Sequence, residues 1–166
     1  MSQEEQEVSA IVAQWYALAT RDHGIPDTSY FRFLALWVAF NGLYSLKFPD
    51  ARTEIKQVRS FGNWSKAKAA HADALSREQS EYRDALGVLR ERGIFNFLTG
   101  KTENLEDENS LRQVIELVYR VRCNLFHGRK VPSNLRDRRL VEAARVIVTE
   151  LMSRLVEPTP AQAQAV

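Results

Sequence analysis

The sequence predicts an all-α fold, an antiparallel bundle of about four or five helices. Two observations support this prediction. Apolar residues recur at helical spacing in several segments, and the chain's 7 glycines and 5 prolines fall mostly between those segments. With 166 residues, 45% of them hydrophobic and 27% charged, the chain has the size and composition of one globular domain. We therefore expect a single domain over residues 1–157 and a flexible tail at residues 158–166.

The first predicted helix begins after Ser2 and ends before Gly24. Glutamates near its start are favourably placed, because the amino end of a helix dipole is positive. Apolar residues recur along one face of this helix, and we expect that face to be buried. It carries Val8, Ile11, Val12, Trp15 and Leu18.

The second predicted helix extends from a cap at Asp27 or Thr28 to about Lys47. It is apolar nearly all round, so one face should pack on its own domain and another on more of the core or on a partner subunit. Asn41 lies inside this helix, where a polar amide needs a hydrogen-bond partner. The longest charge-free run, residues 33–46, is shorter than the roughly 20 residues that span a bilayer. We therefore predict a buried helix and not a membrane span.

The middle of the chain has a weaker pattern. A short amphipathic helix is predicted over residues 53–61, and an Ala- and Lys-rich segment without a clear core face follows it. The charges of that segment, with His71 among them, are typical of a solvated face. No second ligand lies at metal-binding spacing from His71. A helical pattern returns over residues 81–92, and residues 93–110 are predicted to form a loop or a short helix.

Two helices are predicted in the last third of the chain. The first begins near Asp107 or Asn109 and extends to about Phe126. The second begins at a cap, Ser133 or Asn134, and is long and amphipathic. Its apolar positions at helical spacing are Leu140, Ala144, Ile147, Leu151 and Leu155.

Arg122 occupies an unexpected position on the first of these two helices. At 100° per residue, it falls inside the apolar stripe, about 50° from the centre of that stripe. The stripe consists of Leu111, Val114, Ile115, Val118, Val121 and Leu125. Burying an unpaired guanidinium is costly, so something must accept its hydrogen bonds. The acceptor is a carboxylate, a set of backbone carbonyls or an incoming phosphate.

His127 follows in the last turn of the same helix. Unpaired carbonyl groups there favour a protonated imidazole, and a His poised near neutrality suits proton transfer at a phosphodiester. The net charge of the chain is only +2, so contact with nucleic acid would require a local basic patch. The one dense basic cluster of the sequence comes next, with Arg129, Lys130, Arg136, Arg138 and Arg139. Alternatively, Arg122 pairs with a structural acid and His127 caps the helix.

Cys123 is the chain's one cysteine, which excludes an intramolecular disulfide and a cysteine-based metal site. The sequence begins without a basic and apolar leader, so we expect the protein to reside in a reducing cytoplasm. It also contains no Gly-rich phosphate loop, no metal-ligand cluster and no Ser–His–Asp pattern. We therefore expect neither a metal nor a cofactor.

The stretch RCNLFHG at residues 122–128, on the penultimate helix of an all-α bundle, resembles the signature of the HEPN superfamily. That signature is an Arg, four to six intervening residues and a His, often in the context R-N-x-L-F-H-G. The upstream stretch WVAFNGLY at residues 37–44 resembles the apolar, Asn-containing helix of several bacterial HEPN groups. The resemblance covers roughly residues 31–155 and is weakest over residues 50–100.

The resemblance implies a metal-independent endoribonuclease whose active site forms where the two protomers of a homodimer meet at a two-fold axis. His127 would act as general base or acid at the ribose 2′-OH or the leaving oxygen, and Arg122 would stabilise charge on the phosphoryl group. Asn124 would orient the phosphate or His127. Arg129, Lys130 and Arg136 would hold the RNA backbone. The implied role is a toxin or defence effector that an antitoxin or a nucleotidyltransferase partner restrains.

The sequence departs from the family pattern at two positions. Cys123 replaces the polar residue that commonly follows the motif Arg, so either Asn124 takes over its role or activity is reduced. Arg129 replaces the Tyr that a partner nucleotidyltransferase modifies in some HEPN toxins. Two alternatives therefore stay open. One is a non-catalytic HEPN module that binds nucleotides or proteins as a dimeric adaptor, and the other is a structural bundle with an Arg–Glu pair.

Overall fold

Seven helices and one two-stranded hairpin make up the part of the chain that the computed structural model describes, residues 3–20, 29–77, 80–96, 99–126 and 134–156. The prediction of a mostly helical chain is confirmed, but four or five helices was too few for these residues. The helices are α1 (Gln3–Thr20), α2 (Ser29–Lys47), α3 (Glu54–Asn63), α4 (Ser65–Ser76), α5 (Glu81–Glu91), α6 (Leu111–Phe126) and α7 (Leu135–Leu155). The strands are β1 (Ile94–Asn96) and β2 (Lys101–Glu103).

Helix α1 packs along α2 and approaches it closely at Gly42. A Cβ at Gly42 would lie 2.6 Å from Cγ2 of Val12. The predicted buried face of α1 is wrong at Ile11 and Trp15, which are 53% and 38% exposed. Small residues line this contact, so the larger side chains lie outside it. The buried residues of α1 are Val12, Ala13 and Ala19. The side chains of Val8 and Leu18 lie outside the described part of the structure.

The centre of the core lies between α2, α3, α6 and α7. Phe40 on α2 meets Phe61 on α3 edge to face, with ring centroids 4.7 Å apart. The stripe predicted on α6 is buried from Leu111 to Val121, and Leu125 is half-buried. The predicted cap of α7 is confirmed, because Oδ1 of Asn134 accepts hydrogen bonds from two backbone N–H groups of the first turn. Within the described ranges, no helix combines the length and apolar character needed to cross a membrane.

Helix α4 corrects the prediction of a solvated segment. Its inner face is built from alanines, which are too small to produce a clear hydrophobic period in the sequence. The buried residues of this face are Ala67, Ala70, His71, Ala74 and Leu75. His71 is only 3% exposed. Its Nδ1 lies 2.6 Å from the Tyr82 hydroxyl oxygen, and its Nε2 lies 2.8 Å from the Glu108 carbonyl oxygen. Both ring nitrogens are therefore used within the core.

The buried His71 predicts a stability that declines in acid. Burial lowers the pKa of His71, an effect that the nearby Glu108 carbonyl and the Asp107 and Glu108 charges partly oppose. Because the unfolded chain binds this proton more readily, the free energy of unfolding should fall as pH drops below about 6.5, by at most about 1.4 kcal/mol per pH unit. Thermal unfolding of wild type and His71→Gln between pH 7.5 and 5 measures this effect. Equal pH slopes for the two proteins would contradict it.

The hairpin occupies the segment that was predicted to be a loop or a short helix, so that prediction is wrong. Strands β1 and β2 pair antiparallel, with Ile94 opposite Glu103. Each strand has three residues, which is too short to show an alternating pattern in the sequence. Gly100, in the turn, has a φ of +68°, a conformation that glycine adopts at low cost. The hairpin lies against α6 and contributes a backbone acceptor to that helix.

Candidate active site around Arg122

Arg122 pairs with a carboxylate, one of the three kinds of acceptor that its position required. Its Nη1 lies 3.2 Å from Oε2 of Glu54, the first residue of α3. The side chains of Arg122 and Glu54 are 23% and 26% exposed, so the ion pair lies at the edge of the core. Both groups therefore remain partly open to solvent and to a ligand.

Glu54 is in turn held by α2. Its Oε1 accepts hydrogen bonds from the Tyr44 hydroxyl at 2.8 Å and from Nδ2 of Asn41 at 3.2 Å. Nδ2 of Asn41 also donates to the Tyr44 hydroxyl oxygen at 2.6 Å, which gives Asn41 the partners that its position needs. Burial and the Glu54 charge raise the pKa of Tyr44, so its hydroxyl stays protonated and donates. The first turn of α3 also favours a negative charge at Glu54.

Three aromatic rings surround the guanidinium. Cζ of Arg122 lies 4.5 Å from the ring centroid of Phe126, 5.8 Å from that of Trp37 and 6.0 Å from that of Tyr119. Phe126 is 57% exposed, whereas Trp37 is buried. Among the described residues, Nε of Arg122 and Nε1 of Trp37 are buried donors without a hydrogen-bond acceptor. Nε of Arg120 and Nη2 of Arg154 are buried donors of the same kind outside this site.

Cys123 and Tyr119 form a second contact beside Arg122. Cys123 is half-buried, and its side chain has no disulfide partner. Burial, together with the hydrogen bond to Cys123 and the charge of Glu54, raises the pKa of Tyr119 to about 12. Tyr119 therefore remains neutral near pH 7.

Asn124 lies away from this site. It is 4% exposed, and its Nδ2 donates to the Phe95 carbonyl oxygen of β1 at 3.0 Å. Two residues along a helix correspond to about 200° of rotation, so Asn124 and Arg122 lie on nearly opposite sides of α6. The structure therefore does not bring together these two residues, which the sequence predicted in one site. The Asn124 amide instead holds the hairpin against α6.

The predicted RNA-binding residues are only partly described. Nη2 of Arg136 donates to the carbonyl oxygens of Arg92 and Gly93 at 3.0 and 2.9 Å, where α5 ends. This arginine therefore satisfies helix-end carbonyls while remaining exposed. Arg138 and Arg139 are exposed on α7. The predicted site residues outside the described part of the chain are His127, Arg129 and Lys130.

Glu54 and Tyr44 are the site residues that sequence reasoning missed. The predicted short helix placed Glu54 in a first turn, where an acid has the ordinary explanation of a favourable helix dipole. The available signal was indirect. Arg122 inside an apolar stripe required an acceptor, and an acid at the start of a short helix was one candidate among 21 acidic residues.

A cleft lies elsewhere, between the hairpin and the start of α6. It has a volume of about 530 Å³ and polar walls that include Glu103, Arg112 and Glu116. Glu116 is already paired with Arg112 and Arg59, at 3.0 and 3.1 Å. The charge of Glu116 in this cleft is thus already paired within the protein.

No protein-family model, no curated protein and no solved structure matches the chain.

Proposed function

We propose that the protein is a metal-independent endoribonuclease of the HEPN type, with Arg122 and His127 at its reaction centre. The observation that carries this proposal is the setting of Arg122. Its guanidinium is held by Glu54 and lies against the ring of Phe126, the residue directly before His127 in the sequence. A partly exposed cation at a fixed position, five residues before a His in the sequence, suits catalysis at a phosphodiester.

In the proposed reaction, the ribose 2′-oxygen attacks the adjacent phosphorus atom. His127 of one protomer accepts the 2′-OH proton, and a protonated His127 of the second protomer donates one to the departing 5′-oxygen. Arg122 stabilises the negative charge that builds on the phosphoryl oxygens. The P–O5′ bond breaks, and the products carry a 2′,3′-cyclic phosphate and a 5′-hydroxyl. DNA is not cleaved, because it has no 2′-OH.

A homodimer is part of this proposal. Phe31 and Val38 are 53% and 43% exposed, and their spacing of seven residues places them on the same face of α2. An exposed apolar face of this kind is typical of association with another protein. The proposed role is a cytoplasmic toxin or defence effector that an antitoxin restrains; Arg129 stands where a nucleotidyltransferase partner would need a Tyr to modify.

A non-catalytic adaptor is the second candidate, and two observations favour it. Glu54 neutralises the charge of Arg122, and the amide of Asn124 is used by the Phe95 carbonyl rather than by the site. The family pattern has a polar residue directly after the motif Arg, where this chain has Cys123. Asn124 was the expected substitute, and among the described residues its amide is not at the site. An adaptor would use the same surface to bind a nucleotide or a protein as a dimer.

A cleavage assay in EDTA distinguishes the two functions. Wild type and His127→Ala, purified in parallel, are incubated with a mixed-sequence single-stranded RNA and with the DNA of the same sequence. We expect RNA-only cleavage with cyclic-phosphate ends, slower by roughly 10²- to 10⁴-fold in His127→Ala because a general acid–base group is lost.

A His23→Ala variant serves as the matched control and should cleave at the wild-type rate. Equal cleavage by wild type and His127→Ala would identify a contaminating nuclease. No cleavage by wild type across RNAs of varied sequence would reject the ribonuclease in favour of the adaptor.

A further inference from the structure

We propose that Glu54 is the positioning residue for Arg122 in this reaction centre, and that Asn41 and Tyr44 position Glu54. The inference rests on the ribonuclease function proposed above and adds residues from two further helices to it. Glu54 belongs to α3, Asn41 and Tyr44 to α2, and Arg122 to α6.

Both carboxylate oxygens of Glu54 have a defined partner. Oε1 accepts from the two α2 donors, while Oε2 faces Nη1 of Arg122. A carboxylate bound from both sides cannot rotate without breaking a hydrogen bond. The Tyr44 hydroxyl that holds it is enclosed in the core, since Tyr44 is 0% exposed. The position of Glu54 is therefore set by buried groups, although its own side chain lies at the edge of the core.

The same contacts restrict the guanidinium. Its Cζ lies 4.5 Å from the centroid of the exposed Phe126 ring, and its Nε is enclosed. Glu54 adds an ion pair, with its Oε2 3.2 Å from Nη1, which favours the guanidinium position beside the carboxylate. With Nη1 committed to Glu54, the amino group at Nη2 is the one that meets the phosphoryl oxygens in the proposed reaction. A guanidinium is suited to this double use because its N–H groups point in fixed, separate directions.

A role in positioning accounts for the network better than a role in stability does. Ion pairs with side chains exposed to this degree contribute little net free energy of unfolding, although removing one partner alone costs more because it strands the other charge. By contrast, a catalytic group misplaced by about 1 Å lowers the rate by roughly 10²-fold.

Glu54→Gln tests the inference. The glutamine side chain has nearly the same shape and still offers Tyr44 an acceptor, but it removes the charged partner of Arg122. We expect kcat for RNA cleavage to fall roughly 10- to 100-fold with KM nearly unchanged, because the interaction is used in the transition state. Tyr44→Phe should lower kcat by a smaller factor, since Asn41 still donates to Glu54.

Glu103→Gln is the matched control. Glu103→Gln removes a carboxylate of β2 that lies 3.8 Å from Nε of Arg120, which is on α6 like Arg122. It should leave kcat at the wild-type value. Thermal unfolding of every variant verifies that the fold is retained. A loss of kcat in Glu54→Gln that equals the loss in Glu103→Gln would overturn the inference.

NMR of the Arg122 side chain gives a readout that does not depend on cleavage. In ¹⁵N spectra of wild type, the two amino groups of the Arg122 guanidinium should give separate signals because Nη1 is held. These signals should merge in Glu54→Gln and stay separate in Glu103→Gln. Separate signals in Glu54→Gln would overturn the inference, whether or not the protein cleaves RNA. The signals could also merge in Glu54→Gln while the wild-type protein cleaves no RNA. That result would reject the ribonuclease function. Glu54 would then be only a structural partner of Arg122, which also overturns the positioning role.

Discussion

Replacing Arg122 with alanine is expected to abolish RNA cleavage and to lower the melting temperature. Cleavage is lost because, among the described residues, Arg122 alone is a cation held by Glu54 beside the Phe126 ring. Stability falls because Glu54 keeps its charge without its partner. Since both side chains are about a quarter exposed, we expect a loss of about 2 kcal/mol, or roughly 4–8 °C for a chain of this size.

Arg122→Lys separates charge from geometry. Lysine restores a positive charge near Glu54 and should recover most of the lost stability. It should not recover cleavage, because a single ammonium group cannot hold Glu54 and a phosphoryl oxygen in the fixed geometry of a guanidinium. Rates of RNA cleavage and melting temperatures, measured on the same preparations, test both statements. Full activity in Arg122→Lys would show that only the charge at this position matters.

Arg112→Ala is the matched control for these variants. Arg112 lies on the same helix and forms an exposed pair with Glu116, at 3.0 Å. Such pairs contribute about 0–1 kcal/mol, so the melting temperature should change little and cleavage should be retained. If Arg122 and Glu54 form only a structural pair, a different result is expected. Arg122→Ala would then lose stability, but neither the wild type nor any variant would cleave RNA.

Gly62→Ala is expected to cause a large loss of stability for a single added methyl group. Gly62 lies where α3 crosses α6, and a Cβ there would be 2.6 Å from Cα of Arg112 and 3.2 Å from its backbone nitrogen. Backbone atoms cannot rotate away, so α3 must shift relative to α6. We expect the free energy of unfolding to fall by about 2 to 3 kcal/mol, as for overpacking in a core.

Gly87→Ala adds the same methyl group but is expected to raise the free energy of unfolding. Gly87 lies inside α5, and a Cβ there would have no atom within 4 Å. Alanine restricts the unfolded chain and favours helix, so stability should rise by about 0.5–1 kcal/mol. Denaturant unfolding of the two variants measures the contrast. Shifts of equal sign and size would be incompatible with the close approach of α3 to α6.

The Gly62 contact also bears on the site. Glu54 begins the helix that Gly62 brings against α6, and Arg122 lies on α6. A shift of α3 would therefore change the distance between Glu54 and Arg122. If Glu54 positions Arg122, Gly62→Ala should lose cleavage activity at temperatures where it is still folded, whereas Gly87→Ala should not. Activity at 10 °C, compared with the folded fraction at that temperature, measures this effect.

Local pattern was enough to predict the helices with a strong apolar period. Helices α6 and α7 lie close to where the sequence placed them, and Asn134 caps α7 as expected. It also identified Arg122 as a cation that must have a partner, because the apolar stripe around it is a property of one helix. The pattern did not predict the elements whose apolar period is weak. The alanine face of α4 and the three-residue strands of the hairpin carry too little hydrophobic contrast to be recognised.

By itself, the sequence determined that this protein is mostly helical and that Arg122 needs an acceptor. Only the tertiary structure decided that the acceptor is Glu54, that Asn41 and Tyr44 hold Glu54, and that Asn124 serves the hairpin instead. The physical reason is that helical period fixes the face on which a side chain lies but not the helix that this face meets. Close contacts at glycines, such as the crossing of α3 over α6 at Gly62, select that neighbour.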